Sequence, residues 1–240
     1  MKIYINNRDL LTWPREMATK LANEGHEVVF VDNASSYPPL LEWYNKCGLY
    51  VWRLVSNIGA YAPWTLRSIQ HLTEPYVVTD PDLDISLVPV DWPSVLKEGL
   101  DRWTTHTKCA LSLDDTGIPS ANPASKADGF IYYPNGHPDR WRTEIEFEGS
   151  KCSYFGHNTD TTFALYRPGV LPKIDGMSAG RPYTARHLPW HLVRTLDPTD
   201  PAFQIPLNEE LCYYFTHAAS VVPGGYFSTT KDRMLTAGLV

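Results

Sequence analysis

Two aspartates, Asp80 and Asp82, have the type and spacing that most clearly suggest chemistry in this sequence, and they follow an apolar run that begins at Tyr76. Side chains alternate between the two sides of an extended chain, so both carboxylates are expected on one side, at the end of a buried strand. Pro81 has no N–H to give to a neighbouring strand, which predicts that strand pairing ends there. Two adjacent carboxylates repel each other unless a cation binds between them. Oxygen ligands favour Mg²⁺ or Mn²⁺, with diphosphate oxygens as further ligands. The alternative is an acidic turn that is exposed to solvent and binds nothing.

The elements that must position these aspartates alternate regularly over the first 80 residues. Thr12 is the expected N-cap of the first helix, Met17, Ala18 and Leu21 are expected on its buried face, and Gly25 is expected to end it. The alternation is typical of a nucleotide-binding α/β fold with right-handed crossovers, in which ligands bind at the carboxyl ends of the strands. Strands are predicted at 2–6, 27–32, 50–55 and 76–80, and helices at 13–24, 39–47 and 63–71.

Beyond residue 90 the pattern becomes less regular. A helix is predicted at 93–104, a strand at 108–113, and a long loop at 116–149 that contains a helix near 139–147. A further strand is predicted at 161–166, with Asp160 directly before it, and a helix at 208–219. Because no linker separates two compact units, one domain over 1–240 is expected, with a nucleotide-binding half at 1–90 and a second half at 91–240.

Composition narrows the classes of function. The net charge of −6 disfavours a nucleic-acid partner, which would require clustered Lys and Arg. The four cysteines are scattered without a Cys-x-x-Cys pair, which predicts reduced thiols rather than disulfides or a zinc site. No run approaches the ~18 apolar residues of a membrane span, and the first residues lack the layout of a signal peptide. A cytoplasmic protein without a transmembrane segment is therefore expected.

The ordered set of polar motifs resembles the GT-A fold glycosyltransferases, in particular the family-2-like group of small bacterial and viral members. The resemblance implies a nucleotide-diphospho-sugar transferase fold, in which a Rossmann-like central mixed sheet is flanked by helices. It also implies a nucleoside diphosphate sugar as donor and a Mn²⁺ or Mg²⁺ ion held by Asp80-x-Asp82. The motifs are Ile5-Asn6-Asn7-Arg8, Val31-Asp32-Asn33-Ala34-Ser35-Ser36, Asn57-Ile58-Gly59, Thr79-Asp80-Pro81-Asp82, and residues 160–167 and 183–190.

By this resemblance the first three motifs hold the nucleoside. A carboxylate at Asp32 can accept from the N3–H of uracil, and Asn7 or Arg8 can serve the two carbonyl oxygens, which favours UDP slightly over GDP. The alternative is that Asp32 only caps a turn and that Arg8 is a surface cation. The predicted nucleotide-binding residues are Asn6, Asn7, Arg8, Asp32, Asn57, Gly59, Asp80 and Arg186.

The resemblance also implies a third metal ligand late in the chain. His187 is the first candidate and His191, one helical turn away, is the second. The alternative is that Arg186 and His187 begin a helix beside Trp190. Arg186 or Arg181 can instead bind phosphate oxygens, because the guanidinium fork matches them.

An inverting transfer, expected here rather than a retaining one, needs a carboxylate as general base near the acceptor hydroxyl. Asp160 is the candidate, and Asp115, Glu144 and Glu146 are rivals. The sequence departs from the common family-2 pattern because no Glu-Asp pair opens a helix after the strand at 161–166, and this leaves the base open. The aromatic residues that could form an acceptor platform, or else a satellite hydrophobic cluster, are Tyr132, Tyr133, Trp141, Tyr154 and Phe155.

The resemblance implies that the half at 91–240 binds the acceptor of the sugar. This acceptor is expected to be a hydroxyl of a glycan or of a lipid-linked molecule. One alternative is a viral-type transferase that places a sugar on a hydroxymethyl-pyrimidine base of DNA. A second alternative is a non-catalytic sugar-binding protein. A nucleotidyltransferase is disfavoured, because Asn6-Asn7-Arg8-Asp9 stands where that class carries a Gly-rich loop. A local basic patch for DNA would have to come from Lys126, Arg140, Arg142, Lys151 and Lys173.

Overall fold

The computed structural model describes residues 1–114, 146–158, 163–169, 175–189, 208–214 and 217. The strands are β1 (Lys2–Asn7), β2 (Glu27–Asp32), β3 (Tyr50–Arg53), β4 (Tyr76–Thr79), β5 (Leu83–Asp84), β6 (Lys108–Leu113), β7 (Glu146–Glu148), β8 (Ser153–Asn158), β9 (Ala164–Tyr166) and β10 (Asp175–His187). The helices are α1 (Thr12–Asn23), α2 (Pro38–Tyr44), α3 (Arg67–Gln70), α4 (Trp92–Arg102) and α5 (Glu209–Tyr213), with a 3₁₀ turn at Ala62–Thr65.

The described strands form a mixed sheet in the order β3-β2-β1-β4-β9-β6-β10-β8-β7. Strands β3, β2, β1 and β4 run parallel, and β9 lies antiparallel between β4 and β6. Strand β10 pairs in parallel with β6, shifts register between Ala179 and Thr184, and at its far end pairs antiparallel with the short strand β5. The predicted α/β class, with a mixed central sheet flanked by helices, is therefore confirmed.

The core fills both faces of this sheet because its central strands are continuous apolar runs. All four residues of β4 are buried, as such runs in parallel strands require. On one face α1, α2 and α4 pack against the sheet, with Trp92 as the largest fully buried side chain. Its ring meets Phe163 edge-on at 4.9 Å, and its Nε1–H donates to Glu24 Oε2 at 3.1 Å. The other face is covered over β1 and β4 by the 3₁₀ turn and α3.

Helix α1 shows how closely the sequence specifies the first half of the chain. Met17, Ala18 and Leu21 are buried as predicted. The helix ends in a Schellman motif, in which Gly25, at a φ of +83°, donates to Ala22 O and His26 N donates to Leu21 O. The predicted N-cap is wrong, because Thr12 is the first helical residue and Leu11, which precedes it, offers no side-chain cap.

Several predicted elements differ from the structure. The region predicted as one helix at 63–71 is a 3₁₀ turn followed by the four-residue α3, and β3 ends at Arg53 rather than at residue 55. The predicted helix near 139–147 is wrong at its C-terminal end, because Glu146–Glu148 is a strand that pairs with β8. Residues 139–145 lie outside the described part of the chain. Strands β5, β8 and β10 were not predicted. The helix predicted at 208–219 begins as expected, with the Asn208 side chain accepting from Leu211 N at 2.9 Å.

None of the four cysteines is in a disulfide. Burial raises the pKa of the Cys152 thiol to about 11. Among the described residues, the helices are too short or too polar to cross a lipid bilayer.

Gly99 in α4 gives a first test of the packing. A Cβ there would lie 2.7 Å from Cys109 Sγ and 2.9 Å from a ring carbon of Tyr154, closer than real Cβ atoms approach. Gly99→Ala is therefore expected to lower the free energy of unfolding by about 1–3 kcal/mol, although alanine is the better helix former. Urea unfolding measures the change, with the exposed Lys97→Ala in the same helix expected to cost under about 0.5 kcal/mol. An unchanged or higher stability for Gly99→Ala would contradict this packing of α4 on β6.

Candidate functional site

The site is built where the carboxyl ends of β1, β2 and β4 meet the end of β10. Strand β4 ends at Thr79, directly before Asp80. This agrees with the prediction that Pro81 ends the strand pairing. The chain then turns through Pro81 and Asp82 into β5, which pairs with the end of β10 so that Leu83 lies opposite His187. Strand β10 thus brings a histidine from the second half of the chain to the acidic turn of the first half.

Asp82 and His187 are neighbours in the structure. The two atoms Asp82 Oδ2 and His187 Nε2 are 3.5 Å apart, and the two side chains are only 5% and 11% exposed. Leu188 N also donates to Asp82 O at 2.9 Å, which fixes the two backbones together. Asp82 Oδ1 is buried and has no hydrogen-bond partner among the described residues. A buried carboxylate oxygen without a partner is costly in a stable fold, and a bound ion is one of the explanations for it.

This pair meets the basic requirements of a divalent cation site. Two ligand atoms that are each about 2.1 Å from one Mg²⁺ at right angles lie roughly 3 Å apart, close to the observed separation. Within the described part of the chain, no group of three or more His, Cys, Asp and Glu side chains converges closely enough to hold a metal ion. Mg²⁺ commonly takes only one or two carboxylates from the protein and completes its shell with substrate phosphates and water, so Asp82 could contribute to such a site. The imidazole of His187 is a ligand that transition metals accept more readily than Mg²⁺ does.

Tyr214, at the end of α5, lies over the same site and was not among the predicted residues. Its side chain is buried, and burial followed by the charges of Asp82, Asp80 and Asp9 raises its pKa well above the usual value. Asp80 itself is only partly buried. Tyr214 is therefore a buried, neutral phenol that is near enough to Asp82, Asp80 and Asp9 to be affected by their charges.

Helix α5 is fixed in this position by hydrogen bonds to the first half of the chain. The Glu210 carboxylate accepts from Leu11 N at 2.6 Å, Thr12 N at 2.8 Å and Thr12 Oγ1 at 2.6 Å. Glu210 thus satisfies N–H groups at the start of α1 that the chain around Thr12 leaves without a cap. Tyr213 Oη donates to Ser36 Oγ at 2.9 Å, which fixes the same helix to the loop after β2.

Arg8 is not the freely exposed cation of the alternative interpretation. Its side chain is 27% exposed, its Nε lies 3.6 Å from Asp9 Oδ2, and its Nη2 donates to His217 O at 3.3 Å. It also lies close enough to Tyr214 to lower the pKa of that phenol. Arg8 therefore places a positive charge beside the carboxylates, where a diphosphate would need one.

Asp9, which sequence reasoning missed, joins two loops of the site. It is fully buried with a φ of +55°, and its Oδ1 accepts from Ser36 N at 2.5 Å and Tyr37 N at 2.8 Å. Its N–H donates to Ser35 Oγ at 2.9 Å. The loops after β1 and β2 consequently hold each other in place.

The loop at 57–60 is held by an asparagine of β1 and by one that directly follows β2. Asn33 Nδ2 donates to Gly59 O at 2.9 Å and Asn33 Oδ1 accepts from Ile58 N at 2.8 Å. Asn6 Nδ2 donates to Ala60 O at 3.2 Å, and Asn57 Oδ1 accepts from Gly59 N at 2.9 Å. Gly59 has a φ of +84°, which favours glycine there. Three of the predicted nucleotide-binding residues, Asn6, Asn57 and Gly59, therefore lie together beside the ends of β1 and β2.

Asn7 and Asp32 are completely buried. Asn7 Nδ2 donates to Leu10 O at 2.7 Å and to Tyr44 Oη at 2.8 Å. Asp32 Oδ1 accepts from Ser35 N at 3.3 Å, and its Oδ2 lies 3.5 Å from Arg53 Nε. These contacts match the turn-capping alternative for Asp32. Contact between uracil and Asp32 stays a prediction that would require the surrounding side chains to move.

The burial of Asp32 gives a testable pH dependence. Burial raises the pKa of this carboxyl above 3.8, against smaller opposing effects of Ser35 and Arg53. The folded state favours the protonated form of Asp32. Ionisation of this carboxyl therefore lowers the free energy of unfolding as pH rises from 3.8 through the raised pKa of the folded state, whereas an asparagine does not ionise. The free energy of unfolding of Asp32→Asn relative to wild type is therefore expected to increase with pH over that window, measured by urea unfolding. A difference that stays flat with pH would contradict an ionisable, buried Asp32.

The structure places the remaining predicted residues as follows. Arg186 is partly buried in β10, opposite Asp84, and Arg181 Nη2 lies 2.9 Å from Asp114 Oδ1 in a solvent-exposed ion pair. Tyr154 and Phe155 are core residues rather than an exposed platform. Lys151 is ion-paired with Asp91. The predictions that lie outside the described residues concern Asp160, Asp115, Glu144, His191, Trp190, Tyr132, Tyr133, Trp141, Lys126, Arg140, Arg142 and Lys173, and nothing described bears on the Glu146 side chain.

Comparison with known proteins adds no relationship: no protein-family model matches the chain, and no curated protein does.

Proposed function

We propose that this chain is a metal-dependent glycosyltransferase of the GT-A fold, which transfers a sugar from a nucleoside diphosphate, UDP in preference to GDP, to a hydroxyl of a glycan or lipid-linked acceptor. The observation that carries the proposal is the buried pair Asp82–His187, beside Asp80, at the carboxyl ends of parallel strands. Open α/β sheets bind their ligands at that edge.

The residues divide into a part for the metal and a part for the diphosphate. Asp82 and His187 would hold Mn²⁺ or Mg²⁺, which would neutralise charge on the diphosphate leaving group. Asp80 is the further proposed ligand, although the three side chains do not converge as a group in this structure. Arg8 supplies a fixed positive charge beside them, and Asp9 holds the loop that carries it. Arg186, on the strand that carries His187, is the further candidate for a phosphate oxygen.

Tyr214 closes the side of the site that α5 covers. A buried neutral phenol can donate one hydrogen bond to a phosphate oxygen without adding to the negative charge of the three carboxylates. Tyr214 would also help to exclude water from the leaving group on that side, which strengthens each charge interaction there. The general base of an inverting transfer is proposed to be Asp160.

Calorimetric titration with UDP tests the proposal. Wild-type protein is expected to bind UDP at least about 30-fold more tightly with Mn²⁺ than with EDTA, and the double variant Asp80→Ala/Asp82→Ala is expected to lose that difference. A GDP titration run in parallel tests the preference for uracil.

The opposite result is equally informative. A folded wild-type protein that binds neither UDP nor GDP with Mn²⁺ would refute the donor site and with it the transferase. Metal-dependent binding that survives in the double variant would move the metal site away from Asp80 and Asp82.

A further inference from the structure

A concave site lies near the amino ends of β1, β2 and β3, at the other end of the sheet from the Asp82–His187 pair. A cavity of about 370 Å³ opens on the sheet face that carries the 3₁₀ turn and α3, where these short elements leave β2 and β3 uncovered. Its floor is formed by Tyr4 and Val29, which are register partners of neighbouring strands. The cavity lies toward the amino ends of these strands, so it is distinct from the site around Asp82.

Two aromatic side chains form the outer wall of this cavity. Tyr50 and Trp52 occupy alternate positions of β3 and therefore project from the same face of the sheet. They are 74% and 41% exposed, although each offers a large flat apolar surface. Strand β3 is the edge of the described sheet, so one side of these rings faces no further strand there.

The polar groups around the cavity are balanced in charge. Lys2 Nζ and Glu27 Oε1 lie 3.6 Å apart at one end, and both side chains are about half exposed. Ser68, a further lining residue, offers a hydroxyl that can both donate and accept a hydrogen bond. An anionic ligand would meet Glu27 and a cationic ligand would meet Lys2, so this rim favours a neutral molecule that both donates and accepts hydrogen bonds.

From this combination we propose that the cavity beside Tyr50 and Trp52 binds a neutral pyranose unit of a glycan. The apolar face of a pyranose ring can pack on the two aromatic side chains, while its hydroxyls reach the Lys2–Glu27 pair and Ser68. A cavity of this volume is at the lower end of the range for small-molecule sites, which fits one or two sugar rings. The inference concerns binding only and does not depend on the proposed transferase activity.

Calorimetric titration with three neutral oligosaccharides, maltoheptaose, cellohexaose and chitohexaose, tests the inference. The titrations contain EDTA and no nucleotide, so a failure here is separate from a failure of the metal-dependent donor site. At least one oligosaccharide is expected to bind with a Kd of about 1 mM or tighter. Tyr50→Ala and Trp52→Ala are each expected to weaken that binding at least about tenfold, and Tyr50→Phe, which keeps the ring, to weaken it less than about threefold.

Tyr61→Ala is the matched control, because Tyr61 is also an exposed tyrosine, at 50%, but does not line the cavity. It is expected to bind as wild type does. The inference is overturned if none of the three oligosaccharides binds at about 10 mM, or if both ring deletions bind like wild type. It is also overturned if sedimentation shows a wild-type dimer that Trp52→Ala dissociates, because a second copy of the chain would then cover the cavity.

Discussion

Asp82→Asn is expected to lower the Mn²⁺-dependent affinity for UDP at least about 100-fold, because a neutral amide oxygen is a weaker ligand for a hard cation than a carboxylate. The same substitution is expected to leave the free energy of unfolding within about 1 kcal/mol of wild type. The carboxylate is buried with one oxygen that lacks a hydrogen-bond partner among the described residues, so its charge contributes little to the fold. Calorimetry with UDP and Mn²⁺, together with urea unfolding of the same preparation, measures both quantities.

Asp84→Asn is the matched control for this experiment. Asp84 is two residues away on β5, and its Oδ1 accepts from Ser86 N at 2.8 Å, which an asparagine oxygen can also do. UDP affinity is expected to change by less than about threefold in this variant. Equal effects of the two substitutions would show a general loss of negative charge rather than a metal ligand. A large loss of stability in Asp82→Asn would assign Asp82 a structural role.

Glu210→Ala is expected to lower the free energy of unfolding by about 2–4 kcal/mol, the largest stability effect predicted for this chain outside the core. The substitution removes a charged acceptor from two backbone N–H groups and one hydroxyl, all at the start of α1. It also removes a negative charge from the positive end of the helix dipole. Urea unfolding monitored by circular dichroism gives the size of the effect.

Two further variants determine what Glu210 contributes. Glu209→Ala removes the adjacent exposed carboxylate and is expected to cost under about 0.5 kcal/mol. Glu210→Gln keeps one acceptor oxygen but loses the second acceptor and the charge, so its stability is expected to fall between wild type and Glu210→Ala. If Glu210→Ala and Glu209→Ala prove equally stable, α5 does not cap α1 in solution.

The elements predicted well from sequence are those whose own residues determine them. Strand β2 is an uninterrupted apolar run, and α1 combines a buried face with a terminating glycine, so both were located to within a residue or two. Strand β10 was missed because its sequence from Asp175 to His187 contains glycines and a proline, and its pairing with β6, β8 and β5 is entirely long-range. Its backbone conformation depends on neighbours that no local pattern reveals.

The candidate site shows the same division. Asp80 and Asp82 could be proposed from their alternation at a strand end. His187 could be proposed from the family pattern that the sequence resembles. Glu210 and Tyr214 could not, because they reach α1 and the acidic turn from the other end of the chain. One signal did exist: the start of α1 lacks a good capping residue at Leu11, so its N–H groups required an acceptor from elsewhere.

The antiparallel strand β9 sets an order of events during synthesis. It lies between β4 and β6 and pairs with both. Until Ala164–Tyr166 has been translated, the edge of β4 that faces away from β1 therefore lacks its final partner. At about 5–20 residues per second, some 4–17 s separate the completion of β4 from the arrival of β9. During that interval the nascent chain carries an open edge of β4, with unpaired backbone N–H and C=O groups that can pair with other chains. The ribosome-bound chain is therefore expected to aggregate more readily than the finished protein, in which β9 pairs with this edge.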